Sequence, residues 1–245
     1  MNDRVTVVVE TSTPEGSVGL WLGGWKENSF VSERSHNCAI FPPLQELLDF
    51  LKGDKQARSL FAETGETRCP PQEMLDALTE IPIDLILVGT GPGSYSGTRV
   101  GIAVAQGLAI AHGATLVGLP SILATPSARE KSHCRAIGDA RRGDWWWCDV
   151  INGKCDDFPQ MGSKAQLAEV LSDGVAVFSL DLIAEEEFGR EVPQETPSAG
   201  RLWQAWQAMS TEQQQHIAAQ IVQPVYLKPP HITMAKPGHP LQRGR

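Results

Sequence analysis

Two short stretches carry the residue types that could do chemistry. The first is Glu10-Thr11-Ser12-Thr13, at the end of the apolar run Val5–Val9. A carboxylate and hydroxyls at the carboxyl end of a buried strand sit where open α/β sheets place their ligands. The second is the loop Gly89–Gly97, GTGPGSYSG, which follows the branched-residue run Ile83–Val88 and opens a helix. A glycine loop at a helix N-terminus offers free N–H groups and the positive end of the helix dipole, which suits a phosphate. Glu10, Thr11, Ser12, Gly91 and Gly93 are therefore the candidate phosphate- or cofactor-binding residues. Each has a plainer reading: the glycines serve a tight turn and close packing, and Glu10 is a solvated turn acid.

Two stronger motifs fail in the same loop. A P-loop needs G-x-x-x-x-G-K-[ST], and the helix start has no Lys, since Arg99 comes too late. A nucleophile elbow needs G-x-S-x-G, and the central residue between Gly93 and Gly97 is Tyr95. His36 has Ile40 at the i+4 position, so no helical metal pair forms there. No catalytic residue and no metal ligand is assigned. A second acid, Asp139, ends the run Arg135–Asp139 and is followed by a tight turn and the return strand Asp144–Val150. That repeats the plan of the opening, where Glu10 is followed by the turn Pro14–Gly16 and the strand Ser17–Leu22. A duplicated strand–acid–turn–strand unit predicts two related lobes facing a cleft.

The elements that must position these groups are readable from periodicity. Ile83–Val88 and Val5–Val9 are strands covered on both faces. Gly23-Gly24 turns Ser17–Leu22 into an antiparallel return over Trp25–Val31. A helix from about Pro42 to Lys52 presents Leu44, Leu47, Leu48 and Leu51 on one face. The helix Thr98–His112, capped by Ser94 or Ser96, is apolar nearly all round. It carries a small-residue row, Ala103, Gly107 and Ala111, beside a larger row, Val100, Val104 and Leu108. Such a helix needs cover on several sides, from a second helix of its own chain or from a partner chain. Thr115–Gly118 is a short strand, and Ser121 starts another helix. Further helices are expected over 164–171, 198–209 and 211–222, with a strand over 174–180 and an extended Pro224–Leu227. Trp145, Trp146 and Trp147 alternate faces, which puts at least one on a lobe surface or, in the plainer and preferred reading, serves core and edge packing. Residues 53–73 read as a flexible excursion with a short helix at 55–62, and 74–79 as a short helix.

Composition sets the outer bounds. The chain has 245 residues, 41% of them hydrophobic, enough for a real core, and no run long enough to span a bilayer. The first strand follows a short charged start, which predicts no signal peptide. The five cysteines, at 38, 69, 134, 148 and 155, have no C-x-x-C spacing, so neither a disulfide framework nor a zinc site is indicated. A reducing cytoplasm is the simplest compartment. A net charge of −8 argues against autonomous binding to a nucleic-acid backbone. Residues 1–118 are expected to form one lobe with an insertion at 53–73, and 119–230 a second lobe. Residues 231–245 read as a mobile basic tail.

The loop and helix GTGPGSYSGTRVGIAVAQGLA resemble the signature of the TsaB (YeaZ) family, proteins of tRNA threonylcarbamoyladenosine synthesis. VVVETST, SHNCAIFPPLQELL, AIGDARRGDWWW and PVYLK fall in the family's order, so the likeness covers most of the chain except 53–73 and the tail. The resemblance implies an α/β actin-like, Hsp70-like (ASKHA) fold of two ribonuclease-H-like lobes. It implies an accessory protein without catalysis or a cofactor of its own, with ATP and Mg²⁺ entering only at the level of a complex. The implied partners are a TsaD-like catalytic subunit, a TsaE-like ATPase, and a second copy when alone, with tRNA touched only indirectly. Partner contacts are implied through helices matching 42–52 and 98–112, which puts Leu44, Leu48, Val100, Ala103, Val104, Gly107 and Ala111 at an interface. Glu10 stands where the family usually has Asp. Two other readings stay open: an actin-like ATPase or kinase holding Mg²⁺–nucleotide between Glu10 and Asp139, and a glycoprotease-type hydrolase.

Overall fold

The computed structural model describes residues 5–32, 38–51, 82–155 and 159–228. The excursion 53–73 with its short helix, the helix at 74–79, His36, Cys69 and the tail 231–245 lie outside the described residues.

The chain opens with β1 (Thr6–Glu10), β2 (Glu15–Trp21) and β3 (Trp25–Val31), an antiparallel meander whose second turn is made at Gly23 with φ +68°. Helix α1 (Phe41–Leu51) follows, with Pro42 and Pro43 in its first turn, where a missing N–H leaves no hydrogen bond unmade. Strand β4 (Leu85–Gly89), helix α2 (Tyr95–His112) and strand β5 (Thr115–Leu119) complete the first unit. β4 runs parallel to β1, and β5 parallel to β4, in the sheet order β3-β2-β1-β4-β5. Side chains alternate as period two requires. Val7, Val9, Ile86 and Val88 enter a core with α1 and α2. Val8, Leu85 and Leu87 enter a core on the other face.

A 3-10 turn (Ser121–Ala124) and the short α3 (Pro126–Glu130) lead into the second sheet. It comprises β6 (His133–Asp139), β7 (Asp144–Ile151), β8 (Gln160–Ser163) and β9 (Ala176–Ser179), with α4 (Lys164–Val170) between the last two. The order is β8-β7-β6-β9, with β9 parallel to β6 and the other pairs antiparallel. The first four strands of the first sheet have the same plan, an antiparallel meander with a parallel strand on the far side of its first strand. β8 has no apolar alternation, and pairing with β7 makes it a strand.

Helices α5 (Ala199–Gln207) and α6 (Thr211–Ala218) then return to the first sheet. Ala199, Leu202, Trp203 and Trp206 of α5 pack with Val8, Leu87 and Val117, while Ala205 enters the core of the second sheet. Trp203 stacks on Trp25 at 6.5 Å and lies 5.6 Å from Trp21. Aromatic pairs at these separations add ~0.5–1.5 kcal/mol to their area burial. The first sheet ends with Leu119 and the second begins with His133, and 199–218 pack back against the first; the lobe boundaries given above remain a proposal about folding units.

Candidate functional site

The glycine loop sits directly against the end of β1. Ser94 N donates to Ser12 O at 2.6 Å, and Thr11 Oγ1 donates to Gly97 O at 2.8 Å. A Cβ on Gly93 would strike the Ser12 carbonyl, and one on Gly97 the Thr11 carbonyl. Gly91 adopts φ +86°, a left-handed conformation that favours glycine. Ser94 caps α2 by accepting from Gly97 N at 3.2 Å, and Gly113 at φ +65° ends the helix, with its N–H bonded to Ala109 O. Close packing therefore accounts for much of the loop's glycine content.

Glu10 does not reach the cleft. It is wholly buried beneath the loop, its Oε1 accepting from Ser12 N at 2.7 Å and its Oε2 without a hydrogen-bond partner. A Cβ on Gly89 would collide with that carboxyl group. Burial pushes the Glu10 carboxyl above its usual range, against the smaller opposite pull of Ser12, Ser121 and Thr11. The chain thus holds at the end of β1 a carboxyl group biased toward its neutral form. Asp139, the matching residue of β6, does line the cleft, and its carboxylate is taken by Arg141, through the backbone N–H at 2.6 Å and Nη1 at 3.2 Å. The arrangement with Glu10 and Asp139 facing each other across the cleft is therefore corrected by the structure. Glu10 is sealed off because Ser121 and Gly89 close over the end of β1.

The cleft itself, about 450 Å³, lies between the two sheets. Ser12, Gly91 and Gly93 are on one wall, with Asp139, Trp146 and Asp181 on the other. Of the five candidates, then, three meet there, while Glu10 and Thr11 lie behind the wall. The backbone N–H groups a phosphate would need are mostly engaged: Thr90 N with Leu119 O, Gly91 N with Ser121 Oγ, Ser94 N with Ser12 O. Ser12 Oγ is a buried hydroxyl on this wall without a partner. Sequence reasoning missed the segment 221–228 as part of the site. Val225 N donates to Thr90 O, Tyr226 Oη accepts from Arg99 Nη2 at 3.0 Å, and Lys228 Nζ reaches Asp144 at 2.7 Å. Arg99 is stacked 3.7 Å over Tyr95. The motif PVYLK was visible, but nothing in it says that it crosses a cleft. Among the described residues no three His, Cys, Asp or Glu side chains come together as a metal site.

A second site is apolar. α1 and α2 leave between them a groove of about 450 Å³ lined by Phe41, Leu44, Leu48, Ala103, Val104 and Gly107. Five of the seven expected interface residues meet here: Leu44, Leu48, Ala103, Val104 and Gly107. Val100 and Ala111 lie outside the groove: Val100 packs against the first core, as Leu48 and Val104 also do, and Ala111 is exposed one turn further along. The small row is open: Ala103, Gly107 and Ala111 are all exposed, and a Cβ on Gly107 would meet nothing within 4 Å. Cover from a second helix of the same chain, one of the two readings of this row, is thus not what the described residues provide. Ile110, 84% exposed, extends the apolar surface.

Residues 73–228 match the family described as TsaD, tRNA N6-adenosine threonylcarbamoyltransferase. The chain is similar to the tRNA threonylcarbamoyladenosine biosynthesis protein TsaB of Escherichia coli (strain K12), 25% identical over 84% of this chain and 75% of that protein. It is also similar to the protein of the same name from Haemophilus influenzae, 27% identical over 71% of this chain and 65% of that one. Among solved structures, it resembles a Pseudomonas aeruginosa protein described as similar to peptidase YEAZ, with TM-score 0.59, 22% identity, and coverage of 92% of this chain and 100% of that one. YeaZ from Pseudomonas aeruginosa gives TM-score 0.54 at 21% identity, over 82% and 90%. These structures share the fold of this chain, and together with the family match they support the two-lobe, actin-like (ASKHA) architecture. With the match covering most of its length, the chain belongs to the TsaD family, on its TsaB (YeaZ) side.

Proposed function

We propose that this chain is an accessory, non-catalytic subunit in the synthesis of threonylcarbamoyladenosine in tRNA, a dimerisation platform for a TsaD-like catalytic subunit. The observation that carries this reading is the open small-residue row of α2 beside the α1 groove, an apolar face that the described chain does not cover. Rows of small residues let a second helix approach closely, and contiguous exposed apolar surface marks association sites. The relatives' names supply the pathway. The buried Glu10, whose carboxyl is pushed above its usual range by burial, and the engaged loop amides favour a supporting over a catalytic role. In this reading the chain pairs with itself when alone, a TsaE-like ATPase joins the complex, and ATP and Mg²⁺ act only there. The negative net charge leaves tRNA to the partner. The compartment is the cytoplasm.

The deciding experiment is sedimentation of the purified chain with a TsaD-like subunit, beside an assay of Mg²⁺–ATP hydrolysis by the chain alone. The expected result is a complex and no turnover. Turnover by the chain alone, or failure of the two proteins to associate, would overturn the reading.

A further inference from the structure

The second sheet brings two sulfur atoms together away from both sites described above. Cys148 lies within β7, and Cys155 follows the turn Ile151–Lys154 that ends that strand. The turn is closed by Ile151 N to Lys154 O at 2.9 Å and Lys154 N to Ile151 O at 3.0 Å. It is braced from outside: Arg129 Nη2 donates to Gly153 O at 2.9 Å, and Asn152 N to Ser132 O at 2.7 Å. The doubled-back chain holds Cys155 Sγ 2.6 Å from Cys148 Sγ. Cys148 is buried; Cys155 is half-buried and lines a cavity of about 590 Å³ with Lys154 and, from α6, Glu212 and His216. The neighbouring thiol of Cys134, on β6, is buried, and burial pushes it up to about 11.

We propose that Cys148 and Cys155 are a reversible dithiol–disulfide pair, oxidised by a low-molecular-weight disulfide such as oxidised glutathione entering through the cavity. In the first step the Cys155 thiolate attacks one sulfur of oxidised glutathione. A bond forms between Cys155 and that sulfur, the glutathione S–S bond breaks, and one glutathione thiolate leaves. In the second step Cys148, losing its proton, attacks the Cys155 sulfur and expels the second glutathione thiolate. The two protons lost by the cysteines end on the two glutathione thiols, and the two electrons lost by the pair reduce the glutathione disulfide. Attack of this kind needs access at one thiol and a second thiol within reach, and the structure supplies both. Disulfides of proteins in reducing compartments are usually transient and redox-sensing. The spacing of the cysteines conceals the pair, because only the turn brings them together.

The test uses the whole chain, equilibrated in glutathione buffers from fully reduced to fully oxidised, quenched in acid, alkylated under denaturing conditions and digested for mass spectrometry. Cys148 and Cys155 are expected to lose alkylation together as the buffer becomes oxidising. A cross-linked peptide lacking both thiol hydrogens appears, and dithiothreitol restores both sites. Cys134 stays alkylated throughout. Cys155→Ser, checked for folding by circular dichroism, removes the cross-link and leaves Cys148 alkylated. Full alkylation of both thiols in the most oxidising buffer overturns the proposal, as does a cross-link from Cys148 to Cys134 or a glutathione adduct on Cys155 that never resolves. If the Ser variant fails to fold, the titration of the unaltered chain decides alone.

Discussion

Glycine stands on both faces of α2, for opposite reasons. On the inner face Gly97 and Gly101 press on Thr11, and a Cβ on either would run into its carbonyl or hydroxyl oxygen. On the outer face Gly107 has open space where a side chain would go. Glycine in a helix interior costs roughly 0.5–1 kcal/mol relative to alanine. The end of β1 explains that cost on the inner face. Nothing within the described residues explains it on the outer face, which is why the outer face reads as a docking surface.

The sharpest way to break this contrast is to fill both positions with the same side chain. Gly101→Leu should destabilise by about 3 kcal/mol, at or beyond the upper end of what overpacking usually costs, and denaturant unfolding will measure it. Gly107→Leu should leave the melting temperature unchanged or slightly raised, since leucine is the better helix former. If the outer face docks a partner, the same change costs ~1–3 kcal/mol there, up to about a hundredfold in association, read by sedimentation. Unaltered association would return the outer face to ordinary surface.

Smaller changes sharpen the inner side. Ser94→Ala removes the cap accepted from Gly97 N. It should cost ~1 kcal/mol, a drop of roughly 2–4 °C in melting temperature for a chain of this size, with no change in association. Glu10→Gln is expected to act chiefly on the pH dependence of stability, differing least from the unaltered chain in acid. The folded-state pKa of Glu10 is raised above its usual 4.5. The contribution of its protonated form is therefore complete below that value and lost as pH rises through the folded pKa. Unfolding measured across pH should show a steeper decline in the unaltered chain than in Glu10→Gln, where the Asp181 carboxyl, also raised by burial, still contributes. An equal decline in both would mean that Glu10 does not titrate in this range.

Most strands, the loop and α2 were legible because their signals are local: branched runs, glycine punctuation, a serine cap. What is set by distant chain was not. Glu10 and Asp139 end equivalent strands after similar runs, and the pattern treats them alike. One is entombed because Gly89 and Ser121 close over it; the other stays on the cleft wall beside Arg141. The all-round apolarity of α2 said that cover was needed, but only the folded chain shows that the sheet covers Ile102 and Ala105 and leaves Ala103 and Gly107 bare. Likewise, the return of α5 to the first sheet depends on Trp203 finding Trp21 and Trp25, which no spacing within α5 announces.

The segment 221–228 has a mechanical consequence. The chain passes from the first sheet to the second after β5, returns to it before α5, and passes over again along this segment, with Val225 fastened to Thr90 and Lys228 to Asp144. This last crossing lies in the cleft and is tied to both of its sides, like a strap across an opening, so that widening the cleft there means undoing the Val225 or the Lys228 fastening.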